Sequence, residues 1–285
     1  MNPNKKTIPL DTKTITQKIE SGMLLPALSG KIIQSMLDED IDVFVLAKQM
    51  VQEQSIVVRT LRVANSPFYG LARKVDHLES AIIILGFRTI RNIAFGVSLT
   101  RAFSFPKTRY FDPHAFWQHS IAVAVAARHL ALLKKENAEL AFTAGLLHEI
   151  GRLALARVFP EDYAQMAQFA LEHDVPLLHV ENQRFPFNHA TLGAQLAKSW
   201  NLPERFVLII ENVDHPSAQN ADVLTDIVHV ARAVACALSL GEKNTFVPLM
   251  DESAWNRLQF EKESLLKAFS FIIRDYADLV LALLE

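Results

Sequence analysis

Cysteine is nearly missing: the 285 residues hold one, Cys236, so no disulfide can close within the chain. It sits in the apolar run Val234-Ala235-Cys236-Ala237-Leu238, where a reduced core residue is expected rather than a nucleophile. Glycine is sparse and scattered, nine in all, with no GxGxxG and no phosphate-loop pattern, which removes loop-based phosphate cradles from consideration. The longest apolar stretches, such as Ile82-Ile83-Ile84-Leu85, fall far short of the ~20 residues a membrane span needs. Met1 to Asp11 is polar with no apolar run behind it, so no signal peptide is expected. Low-complexity tracts, period-2 runs and hairpin dipeptides are missing too. These absences argue against secreted, membrane and all-β readings, and predict a cytoplasmic protein of the reducing compartment.

What is present is a large apolar fraction, 50% of residues, enough for one large core or two small ones. Charge is divided unevenly. Residues 1–110 carry 15 Lys/Arg against 9 Asp/Glu, and residues 111–285 carry 14 against 22. The basic residues of the first part are spread singly, with no cluster longer than Arg73-Lys74 or Lys5-Lys6, so a nucleic-acid partner is not expected.

Apolar residues recur at three- and four-residue intervals almost throughout. The pattern predicts helices over 43–64 (broken near Gln54-Ser55), 78–99 (with a bend or close approach at Gly86), 116–133, 138–156, 163–173 and 190–200. It also predicts a Pro203-initiated helix to Asn212, one over 223–240 stopped by Gly241, and a last one over 265–284. The fold class is therefore all-α, a two-lobed helical bundle. Pro106 and Pro113 bracket an aperiodic stretch where the charge sign changes, which suggests an extension over 1–17, an N-terminal lobe over 18–110 and a second lobe over 111–285.

The chemistry-bearing residues centre on His148-Glu149, an adjacent imidazole and carboxylate in an apolar turn. Burying two such groups costs several kcal/mol unless something pairs with them. One helix cannot surround a cation, so ligands must converge from several. The candidates are His119, His148, Glu149, His189 and His215, with Asp226 and His229, three apart on one helix face, as a further pair. His77, His114, His173 and His179 sit in polar sequence and are expected at the surface, as is His129.

Phe116-Trp117-Gln118-His119-Ser120 resembles the first histidine of the HD superfamily, and Leu147-His148-Glu149-Ile150-Gly151 its His-Asp doublet. Asn188-His189-Ala190-Thr191-Leu192-Gly193 and Val213-Asp214-His215-Pro216 resemble the additional histidines of the HD-GYP phosphodiesterases. In the first lobe, Leu61-Arg62-Val63-Ala64-Asn65-Ser66 and Ser80-Ala81-Ile82-Ile83-Ile84-Leu85-Gly86 resemble the HDOD family of bacterial signalling proteins, the "HD-related output domain". The resemblance runs from about residue 18 to 235. It implies an HD-like second lobe, an incomplete ligand set and a signalling role. Three departures stand out: Glu53-Gln54 replaces the family's Asp-Pro, Glu149 its doublet Asp, and Arg232 the closing aspartate. The last exchanges a ligand oxygen for a fixed positive charge. The residues by themselves give Asn65-Ser66-Pro67 a helix-ending role through local backbone bonds, with ligand or partner contact as the alternative.

Two function classes follow. The first is a non-catalytic module with a degenerate metal site, in which Arg232 donates to Glu149 in place of a metal; it needs no cofactor and acts through a signalling protein partner or a small-molecule ligand. The second is an HD-type metal-dependent phosphohydrolase, using His119, His148, Glu149, His189 and His215 to hold Fe, Mn or another divalent metal.

Overall fold

The computed structural model describes residues 12–37, 47–48, 50–216, 222–241 and 248–284. The expectations that fall on 1–11 and on 43–46 lie outside them. Among the described residues the protein is helical with no strand. The helices of the first part are α1 (Thr12–Gly22), α2 (Ala27–Leu37), α3 (Gln54–Ala64), α4 (Leu78–Leu85) and α5 (Phe87–Ala102). The second part adds α6 (Pro113–Lys134), α7 (Ala138–Leu147), α8 (Ile150–Val158), α9 (Pro160–His173), α10 (Leu177–Arg184), α11 (His189–Ser199), α12 (Glu204–Asn212) and α13 (Val223–Ala237). The chain continues with α14 (Glu252–Leu258) and α15 (Lys262–Leu284).

α6 is the axis of the molecule. Asp112 starts it by accepting from the amides of His114 and Ala115, with Pro113 pre-set for the first turn, and Lys135 ends it in the left-handed region. Every side chain from Ile121 to Ala127 is fully buried, because α7, α13 and α15 pack around it. The neighbours come close because the contacts are small. A Cβ on Gly145 would lie 2.7 Å from the Ala124 Cα, so α7 presses its backbone onto that of α6. Buried apolar side chains form one continuous cluster from Ile15 in α1 to Leu283 in α15. α15 bridges the two parts, touching α3 and α5 as well as α6.

Several elements differ from the sequence reading. The helix expected over 78–99 is two helices, parted at Gly86 with φ +83, and the one over 138–156 is parted at His148-Glu149. α1, α10 and α14 were not expected from the pattern, although Ile15 and Ile19 of α1 and Met23 just after it are buried at four-residue intervals. His129 is not a surface residue. Its Nε2 lies 2.8 Å from Asp275 Oδ2, Arg274 donates to the other oxygen of the same carboxylate, and the imidazole stacks on Phe271, tying α15 to α6. Cys236 is half-buried and borders a cleft instead of filling the core.

In the first part, Asn65 fastens the chain after α3. Its Nδ2 donates to the carbonyls of Leu61 and Val75 while its Oδ1 accepts from the Val75 amide, and Ser66 Oγ donates to the Val63 carbonyl. These are the local backbone bonds the sequence suggested. Leu85 and Gly86 form the joint between α4 and α5.

Candidate functional site

His148 and Glu149 occupy the two-residue joint between α7 and α8, so both side chains leave the helices at a corner rather than mid-turn. His148 is fully buried, and its Nδ1 pairs at 2.7 Å with the Gly145 carbonyl. Burial pushes its pKa down to about 3, which keeps the ring neutral. The neutral tautomer then carries its proton on Nδ1 and leaves Nε2 as an acceptor, 3.8 Å from Glu149 Oε1 and with no hydrogen-bond donor of its own. His119 reaches the same place from α6, its ring centroid 5.6 Å from that of His148. His119, His148 and Glu149 each offer one atom within 4.8 Å of the others.

Around this cluster runs a chain of groups of alternating sign. The Arg232 guanidinium, from α13, donates through Nη2 to Glu149 Oε1 at 3.0 Å and through Nη1 to Asp214 Oδ1 at 2.6 Å. The other oxygen of Glu149 accepts from Arg152 at 3.1 Å, and Arg152 Nε donates to the Tyr163 hydroxyl. On the far side, Asp214 Oδ2 is 3.2 Å from His189 Nε2, and His189 donates through both its backbone amide and Nδ1 to Glu181 Oε2. Burial would lower the His189 pKa, but the Glu181 and Asp214 carboxylates outweigh it and hold the ring protonated well above the usual histidine range. Burial would likewise raise Glu149 and Asp214. The guanidiniums of Arg152 and Arg232 hold the first well below its ordinary value, and Arg232 with His189 does so for the second. Glu181, His189, Asp214, Arg232, Glu149 and Arg152 thus alternate minus, plus, minus, plus, minus, plus and cancel.

The chain lies at the floor of a cleft of about 900 Å³, walled by the 107–112 segment, α9, the start of α10 and residues 248–251. His215 is at its exposed rim. The Asp226–His229 pair is elsewhere in purpose: Asp226 accepts both arms of Arg257, while His229 pairs with the Val213 carbonyl and accepts from the Asp251 amide, stapling α13 to α14. Glu181, Arg152 and Tyr163 had no place among the candidates from the sequence, and Asp214 stood there only as the neighbour of His215. Glu181 sits on α10, a short helix without clear period, and no spacing rule connects it to His189 eight positions later.

Two glycines hold the site's spacing. A Cβ on Gly151 would fall 1.9 Å from the His189 carbonyl oxygen and 2.6 Å from the Gly193 amide, so α8 and α11 cross backbone to backbone where His189 begins. Gly241, with φ +89, lies against the backbone of His119.

A divalent cation needs lone pairs free to face it. Here both Glu149 oxygens and one of Asp214 accept from guanidiniums, and His189 lies between two carboxylates. The His119–His148–Glu149 trio is the part of a metal site that is present. The Arg232 guanidinium on the same carboxylate competes with a cation for that oxygen.

A family model described as the HDOD domain matches residues 23–216. The chain belongs to the HDOD family. A curated relative from Treponema pallidum (strain Nichols), named "Uncharacterized protein", is 22% identical over 219 residues, covering 75% of this chain and 42% of that one, so the HDOD chain spans less than half of the relative. Among solved structures, an "HDOD domain protein with unknown function" from Geobacter sulfurreducens superposes with a TM-score of 0.80 at 23% identity, over 95% of this chain and 98% of that one. A "Putative phosphohydrolase" from Shewanella amazonensis SB2B superposes with a TM-score of 0.78 at 23% identity, over 94% and 97%. A "Putative signal transduction protein" from Marinobacter aquaeolei VT8 gives 0.73 at 21% identity, over 95% of this chain and 65% of that one. At these identities the likeness is one of fold. Among the described residues of this HDOD chain no helix is long and apolar enough to cross a membrane.

Proposed function

We propose that this HDOD chain is a non-catalytic signal-transduction module of the cytoplasm, whose HD-like cleft binds a small ligand or a protein segment and passes that event to a signalling partner. The observation that carries this reading is the Arg232 guanidinium, bonded at once to Glu149 and Asp214. It supplies the positive charge a cation would supply and engages one oxygen each of Glu149 and Asp214. The floor of the cleft is then a fixed, neutral polar network rather than a reactive centre.

One observation favours a metal-dependent phosphohydrolase instead: His119, His148 and Glu149 still converge within 4.8 Å. The name of the Shewanella relative points the same way. Elemental mass spectrometry separates the readings, on protein purified without chelator and again after iron or manganese loading. Negligible metal under both conditions is expected. Near-stoichiometric metal that is lost in His148→Ala overturns the reading and calls for a phosphodiester substrate screen. Arg232→Asp, which restores a carboxylate and removes the guanidinium, is the companion variant: metal uptake gained there identifies Arg232 as what keeps metal out, and no gain means the site is closed for other reasons.

A further inference from the structure

Beside the cleft, at the start of α6, a second pocket of about 380 Å³ opens between the two parts of the molecule. Its lining brings cations from three separate places: Arg59 on α3, Arg101 on α5 and Lys107 on the connecting segment. Among the described lining residues the one acidic side chain is Asp112, and it is already engaged. Its Oδ2 is 2.7 Å from Lys107 Nζ, and its Oδ1 caps α6 by accepting from the amides of His114 and Ala115. Among the described lining residues, Arg59, Arg101 and Lys107 face one carboxylate, a formal excess of two positive charges.

The donors are held in place before any ligand arrives. Arg59 Nη1 donates to the Leu283 carbonyl at 3.4 Å, Arg101 Nη1 to Ser55 Oγ, and each guanidinium keeps further N–H groups for a ligand. Trp117, also in the lining and 2% exposed, has an indole N–H with no hydrogen-bond acceptor. An excess of two charges, forked donors and space for a small molecule suit a dianion with several acceptor oxygens better than a monocarboxylate.

We propose that this pocket binds the phosphate group of a small phosphorylated molecule, held by Arg59, Arg101 and Lys107. Its position gives the site a route to the cleft. Lys107 and Asp112 line both spaces, and Asp112 is the cap of the helix that carries His119. A phosphate that draws Lys107 away from Asp112 alters the start of α6 and the wall of the cleft together.

Inorganic phosphate titrated into the full chain tests this, by calorimetry and by tryptophan emission at constant ionic strength, with acetate as the comparison anion. Phosphate is expected to bind more tightly than acetate. Arg101→Gln and Lys107→Gln change exposed side chains, so their helical content, checked by circular dichroism, should persist while phosphate binding weakens about tenfold or more for each. Arg109→Gln, at the cleft, should leave it unchanged. Binding that survives both pocket variants, or that is lost with Arg109→Gln, overturns the placement. Acetate binding as tightly as phosphate overturns the ligand class, and no binding at tens of millimolar phosphate overturns the proposal as a whole.

Discussion

Arg232→Ala is the most searching perturbation of the cleft floor. Removing one partner of a buried ion pair costs about 3–5 kcal/mol, because the remaining charge stays out of water without compensation. Arg232 serves two carboxylates, which argues for the upper end. However, Glu149 keeps Arg152 at 3.1 Å and Asp214 keeps His189 at 3.2 Å, so neither is left bare. The deficit is one unit of charge shared by two partly compensated groups, and the lower end, about 3 kcal/mol, is the expected loss. In a domain of this size each kcal/mol moves Tm by roughly 2–4 °C, so the melt should fall by roughly 6–12 °C. Urea unfolding at pH 7 gives the free energy directly, and differential scanning calorimetry gives the shift. A double variant, Glu149→Gln with Arg232→Ala, should lose less than the sum of the two single changes, since the second removes a charge the first has orphaned. A loss below about 0.5 kcal/mol for Arg232→Ala would refute the reasoning: the guanidinium would then be a bystander and the carboxylates compensated elsewhere.

His148 is neutral when folded, with its pKa at about 3 against an ordinary 6.5, so unfolding takes up a proton between those values. Stability should therefore fall as pH drops through that window, by up to ~1.4 kcal/mol per unit, and His148→Gln should flatten the slope measured by urea melts from pH 6.5 to 4.5. His189 has the opposite sign. Its raised pKa gives stability that is complete below about pH 6.5 and is lost as pH climbs toward the folded value. His189→Gln should remove that alkaline decline. Gly151→Ala would drive a Cβ into the His189 carbonyl, and should cost more than about 3 kcal/mol or abolish soluble expression, whereas Gly30→Ala, with nothing within 4 Å, should be close to neutral or stabilising. Asp275→Asn weakens the ties to His129 and Arg274, and should speed amide exchange along α15 at a cost of about 1–3 kcal/mol.

The amphipathic helices were legible because one face of each must be apolar at a spacing of 3.6, as in α12, α13 and α15, while α6 was legible as a long apolar run buried all round. α10 and α14 were not, since helices of eight and seven residues offer barely two turns of period. The site divides along the same line. The histidines stood out as rare polar residues in apolar helices, and Arg232 as a cation among Val230, Ala231 and Val234. Glu181 and Asp214, which decide the protonation of His189, are common residues on a short helix and at a helix end, and only three-dimensional proximity singles them out. The interior of His129 was missed for a related reason: its partner Asp275 is 146 positions away.

The crossing of α8 over α11 has a meaning for electrostatics as well as packing. Gly151 touches the backbone of the very residue whose imidazolium sits between Glu181 and Asp214. The distance between two helix axes and the protonation of a ring are therefore set by one contact. A side chain at 151 would press on the His189 carbonyl, and one at 193 on Ile210 and the Gly151 amide. Any sequence that keeps this crossing must keep both positions nearly bare, so the packing of α8 on α11 also fixes where the His189 ring begins.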